Sequence, residues 1–535
     1  MAAVLEMTEI KKALTYLILA ITLATGCITI FYHLERPFES DRPAARVVFS
    51  SQNVMSLIKD PPDFRHPSLY YIALHYSLKM FGGSGFSAYL PGAIFGLACI
   101  AALFFFLERR VGLLAAAGGS LLLSVTPEFI GQSREVANFS LFSLLSLLSS
   151  YYFLKCAFNR DAASPRKTDF LFYIISTVLC FYCNFFAFFI AAAQFLFLSY
   201  IRFSTKRLDK NIVYAYLLCI LLGVPSLIML AKGFFMDIPV REAASQASQE
   251  VYTGAWEFMM RTAAEYFPFD RGFLPFGMGF ALLMILYVAF YYLFSDFRIR
   301  QFPDLIYILI VVLLTVTISF AATDTVRLRP YYFVFLWPLL TVFFFEAIDR
   351  LCREEIKNAA IRNAVYILFM GIVVFAYSYM LNNARDDFYG NVSDRSIAPA
   401  VRTIVESRHK SRRVVLEYIP DVHALYYHAF DYPYRDYDRY LEMVSGRGGE
   451  MRGRRLSFSV MDSSLAANVA KPGDFENPAA SMAKREKYWF IYNKRHQNPN
   501  ILKPLESRCS KEYVSTVYIL FYCDPGGRGS GTEMQ

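Results

Sequence analysis

The chain has 535 residues, 56% of them hydrophobic and only 19% charged, where a soluble protein of this size carries about 25% charged residues. Long apolar runs fill residues 13–382, and so few charges cannot solvate them, which excludes a wholly soluble protein, a disordered chain and a small disulfide scaffold. The formal net charge of +9 is read as membrane orientation and contact with anionic lipid, so no nucleic-acid partner is expected.

A helix needs about 20 apolar residues to cross the hydrocarbon core. By that measure spans fall near 13–32, 87–107, 111–126, 136–156, 169–186, 187–203, 212–232, 273–294, 303–321, 330–347 and 362–382, about eleven in all. Residues 1–382 are therefore expected to form an all-α polytopic membrane domain. The first span follows Lys11 and Lys12 as a signal peptide would, but its apolar run reaches full spanning length, so an uncleaved helix is expected. Basic residues collect at Lys11/Lys12, Arg109/Arg110, Lys155 to Lys167, Arg202 to Lys210, Arg298/Arg300 and Arg350 to Lys357. The spans above put all of these groups on one side, the cytoplasm by the positive-inside rule. An odd number of crossings then sends the tail to the opposite face.

Residues 34–86 become a first outer loop. Its apolar stretch from His66 to Phe81 is too short to cross and carries His66, His75 and Lys79, so it is expected to lie in the outer interface. Polar residues gather in four outer segments: Glu35 to Arg42, Asp63 to Tyr71, Pro127 to Glu135, and Asp324 to Arg329. The outer loop 233–272 is expected to cover them as a lid. Span interiors are nearly free of Asp, Glu, Lys and Arg, whereas transporters and proton relays place such residues near the midplane. That contrast favours chemistry at one membrane face. A lipid or glycan transporter or flippase needing no buried acids is the alternative from another class, and an inactive envelope-assembly protein is a third.

Residues 383–535 change to short elements, expected to form a small α/β domain outside the membrane. Ile397 to Glu406 is helix-like, and Arg413 to Ile419, Tyr488 to Tyr492 and Val514 to Cys523 are strand-like. Gly446 to Arg455 and Asn477 to Lys484 are expected loops. Seven of the nine cysteines lie in or beside apolar segments, where Cys is a small hydrophobe. Cys509 and Cys523 are the exception. In an oxidising compartment they are a candidate disulfide across a hairpin, the alternative being two free thiols.

One block carries a family resemblance. His66-Pro67-Ser68-Leu69-Tyr70-Tyr71 through Phe81-Gly82, followed by Tyr89-Leu90-Pro91-Gly92, resembles the His-Pro-Pro-Leu-Tyr-Tyr … Phe-Gly … Arg-Leu-Pro-Ser run of bacterial family 39-type glycosyltransferases. These are GT-C fold relatives of protein O-mannosyltransferases and of the aminoarabinose–lipid A transferase. The similarity extends through Ser133-Arg134-Glu135 and Ala193-Gln194, and on to Arg329 before Tyr331 and Pro338. Three places differ. The family's early Asp-Glu pair reads Asp41-Arg42, its Ser-Arg-Glu-Ala-Arg-x-Tyr reads Ser133-Arg134-Glu135-Val136-Ala137-Asn138-Phe139, and its Tyr-Thr-His-Tyr reads Tyr182-Cys183-Asn184-Phe185.

The resemblance implies transfer of a hexose or pentose from a polyprenyl-phosphate carrier to a glycan, lipopolysaccharide or protein acceptor at the outer face of a bacterial inner membrane. The leaving group is a phosphate, which favours cationic donors, and Arg grips phosphate with two of them. Arg134, Arg327 and Arg329 suit that role, with Glu135 beside them and His66 as a further hydrogen-bond donor. A carboxylate must take the proton of the acceptor hydroxyl, and Asp41 is the first candidate, Glu39 the second. The plainer readings are an Asp41 pairing with Arg42 or Arg46, a solvated Glu39, a His66 that caps the interfacial helix, an Arg134–Glu135 ion pair, and Arg327 and Arg329 anchoring a span to headgroups. No metal-ligand spacing and no Gly-rich phosphate loop is present in the sequence, which fits a lipid-linked donor and no cofactor; a divalent-cation requirement is left open.

Overall fold

A computed structural model of the protein describes residues 2–32, 53–59, 68–82, 85–157, 165–205, 209–236, 303–321 and 333–358, six strands between 413 and 523, and isolated positions besides. The chain divides into two compact units. One comprises residues 1–32, 60–70 and 90–388, the other residues 33–59, 71–89 and 389–535.

The described helices are α1 (Ala2–Phe31), α2 (Val54–Lys59), α3 (Leu69–Phe81), α4 (Gly85–Arg110), α5 (Leu113–Val125), α6 (Pro127–Ser133), α7 (Phe139–Ala157), α8 (Lys167–Phe181), α9 (Ala187–Thr205), α10 (Lys210–Met236), α11 (Pro303–Ala321) and α12 (Leu336–Glu355). Among the described residues five helices are long and apolar enough to cross a membrane, or six if the bent pair α5–α6 is one span. The expected spans near 273–294 and 362–382 lie wholly or largely outside the described residues, as does most of the loop 233–272. At 13 residues, α3 runs about 20 Å, short of the roughly 30 Å core.

Local chemistry sets the breaks between helices. Gly112, at φ 133°, reverses the chain in two residues between α4 and α5. A side chain is strained at that φ, so glycine makes so short a turn possible. Its N–H and that of Val111 both bond the carbonyl of Leu107, at 3.0 and 2.8 Å. The expected outer loop beginning at Pro127 is instead a seven-residue helix, α6, set 66° from α5. Pro127 at its start needs no N–H partner there, and Glu128 sits on the positive end of its dipole. The two spans expected to meet at Ala187 are separate antiparallel helices, α8 and α9. The hydroxyl of Tyr173 on α8 donates to Gln194 Oε1 on α9 at 2.9 Å, and Gln194 Nε2 continues to Ser149 of α7 at 3.1 Å. Buried polar groups thus pair with one another across the helices, as an apolar surround requires.

The strands are β1 (Arg413–Leu416), β2 (Met451–Arg452), β3 (Ser457–Val460), β4 (Tyr488–Asn493), β5 (Cys509–Val514) and β6 (Tyr518–Cys523). They form one mixed sheet in the order β2-β3-β1-β4-β6-β5. β1 runs parallel to both β3 and β4, while β6 is antiparallel to β4 and to β5. The parallel pairs require crossover connections. β2 falls inside the segment 446–455 that the sequence predicts as loop. Cys509 is disulfide-bonded, and the β5–β6 register sets it directly opposite Cys523. The helix-like stretch 397–406 lies largely outside the described residues.

Candidate active site

The bundle has two chemically different ends. At one end, basic residues at helix termini are tied to neighbouring helices. Arg110 closing α4 pairs with Asp304 opening α11 at 3.1 Å, and Lys155 closing α7 pairs with Asp169 in the first turn of α8 at 2.7 Å. Arg353 near the end of α12 donates to the carbonyl of Val111 at 3.3 Å. Three of the six basic groups used to infer direction thus meet neighbouring helices at a single end.

The opposite end gathers described parts of the blocks that carry the family resemblance. The turn after α6, Ser133 to Asn138, rests on a shelf made by Gly92 and Gly96 of α4. A Cβ at Gly92 would stand 2.8 Å from the carbonyl oxygen of Glu135 and 2.9 Å from that of Ser133. One at Gly96 would overlap the Ser133 side chain, with its Cβ 2.6 Å away. Glycines four apart on one helix face permit this close backbone approach. Arg134 then points back beneath the turn. It is 1% exposed, and its guanidinium Nη1 donates to the carbonyls of Tyr32 at 2.6 Å and Thr29 at 3.3 Å. Those oxygens lie at the C-terminal end of α1, where helical carbonyls lack intrahelical donors.

Two further joints complete the cluster. The buried Asn138 side chain donates to the carbonyl of Cys183, whose thiol is 3.7 Å from the Asn138 carbonyl. The backbone N–H of Leu69 donates to the carbonyl of Tyr182 at 3.1 Å. The break between α8 and α9 therefore holds both the turn after α6 and the end of the His66-to-Leu69 block. α10 braces that break in turn: Tyr182 donates to the Leu222 carbonyl at 3.1 Å, Ser226 to that of Phe181 at 2.5 Å, and Gly223 lies against the Phe181 ring.

Of the residues singled out from the sequence, Arg134 and Glu135 are described. The described hydrogen bonds of Arg134 make it a brace at the root of the first outer loop, and Glu135 is half-buried beside the glycine shelf. Asp41, Glu39, His66, Arg327 and Arg329 lie outside the described residues. Among the described residues no group of three or more His, Cys, Asp or Glu is placed to hold a metal ion. The sequence places Gly92 only within the family block and leaves Gly96 unmarked, although their spacing of four carries the signal of a close approach. Sequence reasoning also missed the contact roles of Asn138 and Tyr182, which join blocks far apart in the chain.

Residues 65–229 match the family described as dolichyl-phosphate-mannose-protein mannosyltransferase. The chain is similar to the crystal structure of ArnT from Cupriavidus metallidurans bound to undecaprenyl phosphate, with a TM-score of 0.56 at 12% identity over 95% of this chain and 98% of that one. The apo structure of the same protein gives a TM-score of 0.56 at 12% identity, covering 96% and 98%. No curated protein sequence matches the chain. At this identity the structural likeness establishes the fold, and the GT-C-type resemblance read from the sequence stands.

Proposed function

We propose that this chain is an integral membrane glycosyltransferase that takes its sugar from a polyprenyl-phosphate carrier and passes it to an envelope acceptor. The acceptor is a lipopolysaccharide, another glycan or a protein, and transfer occurs at the periplasmic face of a bacterial inner membrane. About eleven spans carry the reaction centre, and the C-terminal α/β domain lies on the same side as the first outer loop. One observation carries the reading. Leu69, Gly92 and the turn 133–138, all from or beside the family blocks and far apart in sequence, meet around the break at Tyr182 and Cys183, at the end of the bundle away from the described basic ties.

The reaction is a single inverting displacement. The acceptor oxygen attacks the anomeric carbon, the bond from that carbon to the phosphate oxygen breaks, and the hydroxyl proton passes to a carboxylate. Asp41 is the base and Glu39 the reserve candidate. Arg327 and Arg329 take the departing phosphate, aided by His66, because guanidinium groups stabilise an anion as charge develops on it. Arg134 acts by position. Held on Tyr32 and Thr29, it fixes the point from which the loop carrying Glu39 and Asp41 departs.

The test is sugar transfer from radiolabelled polyprenyl-phosphate donors by the purified full chain. Asp41→Asn is expected to lower turnover by about 10²–10⁴-fold, the range of general-base assistance, with an unchanged melting temperature. Full turnover in that variant removes Asp41 from the role. Lipid movement without sugar transfer in the unmodified chain supports transport instead.

A further inference from the structure

α4 ends on two adjacent arginines that face different surroundings. Arg110 turns into the bundle and pairs with Asp304, whose side chain is fully buried. Arg109 stays exposed and donates from Nη1 to the hydroxyl of Tyr151 on α7 at 3.0 Å. Beside this contact α4 and α7 part to leave a cavity of about 190 Å³, walled by Ala102, Phe105, Leu147, Leu148 and Tyr152. Phe105 is 42% exposed on the helix surface, so the apolar wall reaches the outside of the bundle. Tyr152 is stacked on Phe172 of α8 at 5.1 Å between ring centres, which gives the groove a firm rim.

We propose that this groove binds one anionic phospholipid of the leaflet at the basic end, with its phosphate on Arg109 and the start of an acyl chain along Phe105 and Leu148. A guanidinium carries five N–H donors in a fixed fork, and Tyr151 receives a bond from one η nitrogen. The remaining donors match the paired oxygens of a phosphodiester. The walls have what an acyl chain needs, aliphatic and aromatic carbon with no charge. The Tyr151 hydroxyl marks the depth at which the polar headgroup begins, as phenols do at membrane interfaces. Neither element suffices alone: a soluble anion gains nothing from the apolar wall, and a neutral lipid gains little from Arg109. From Gly92 on the glycine shelf to Arg109 is about 25 Å along α4. The site is therefore separate from the candidate active site and does not depend on the donor reading.

The experiment uses the purified full chain in detergent, titrated with phosphatidylglycerol, phosphatidylcholine or inorganic phosphate. Bound lipid is counted by native mass spectrometry and the melting temperature is followed in parallel. Phosphatidylglycerol is expected to be retained as one tightly held copy and to raise the melting temperature, whereas phosphatidylcholine and inorganic phosphate do neither. Arg109→Gln is expected to weaken that retention about tenfold, the scale of losing a charge-assisted bond. Ala102→Leu, which fills the groove and leaves Arg109 in place, is expected to release the lipid as well. Equal retention of the two lipids, equal stabilisation by inorganic phosphate, or a folded Arg109→Gln protein that keeps its phosphatidylglycerol overturns the proposal.

Discussion

Arg134 is one of the largest fully buried side chains among the described residues, and burying a guanidinium is tolerable only when acceptors are brought to it. The acceptors are main-chain oxygens at the end of α1, which carry the negative end of that helix's dipole. Replacing Arg134 with Leu removes both bonds, each a hydrogen bond to a charged donor worth about 1.5–3 kcal/mol. The expected result is a lowered melting temperature in detergent and weakened transfer. Arg134→Lys is expected to recover only part of the loss, because a compact ammonium cannot reproduce the planar fork. A lysine variant with unmodified melting and turnover contradicts the brace. The sequence marked Arg134 through its family block, yet nothing in it announced partners 102 and 105 residues away that are backbone oxygens. Main-chain acceptors leave no side-chain pattern to detect.

At the scale of elements, the glycine shelf on α4 decides how the turn after α6 is seated. Gly92→Ala drives a methyl group against two main-chain oxygens that cannot swing aside as a side chain would. A loss of about 1–3 kcal/mol is expected, the usual range for overpacking, and with it a displaced turn and reduced transfer. Gly371→Ala is the control. It also lies in a helix, but its Cβ would meet nothing within 4 Å, so it is expected to be neutral or stabilising by up to about 1 kcal/mol. Equal melting temperatures for the two variants count against the shelf. The long helices were legible: the span expected at 87–107 lies within Gly85–Arg110, and that at 136–156 nearly coincides with Phe139–Ala157. Apolar length bounded by basic residues is a strong signal. The break at Tyr182–Phe186 was placed less well, because Phe185 to Phe189 continue the apolar run with no Gly or Pro to mark a turn. α6 was read as loop although Pro127 and Glu128 are both helix-start signals, since seven residues offer too little periodicity to detect.

For the molecule as a whole, the separation of basic ties and motif joints to opposite ends of the helices has a topological counterpart. Reporter fusions and tag accessibility in intact cells are expected to place the N-terminus in the cytosol and the C-terminus outside it. The sheet then sits in an oxidising compartment, and mass spectrometry of non-reduced protein is expected to show Cys509 joined to Cys523. A cytosolic C-terminus, or two alkylatable thiols at those positions, counts against the orientation. The strand segments around 413–416, 488–493 and 518–523 were visible as apolar and aromatic runs. Their order was not, because parallel pairing joins segments through long connections and depends on contacts no local pattern encodes.

The reach of Arg134 across 102 residues to Tyr32 also bears on how the protein is made. α1 leaves the ribosome long before Arg134 is synthesised, and the two meet only after 102 further residues have been made. This corner of the bundle therefore closes only after the chain has been made past Arg134.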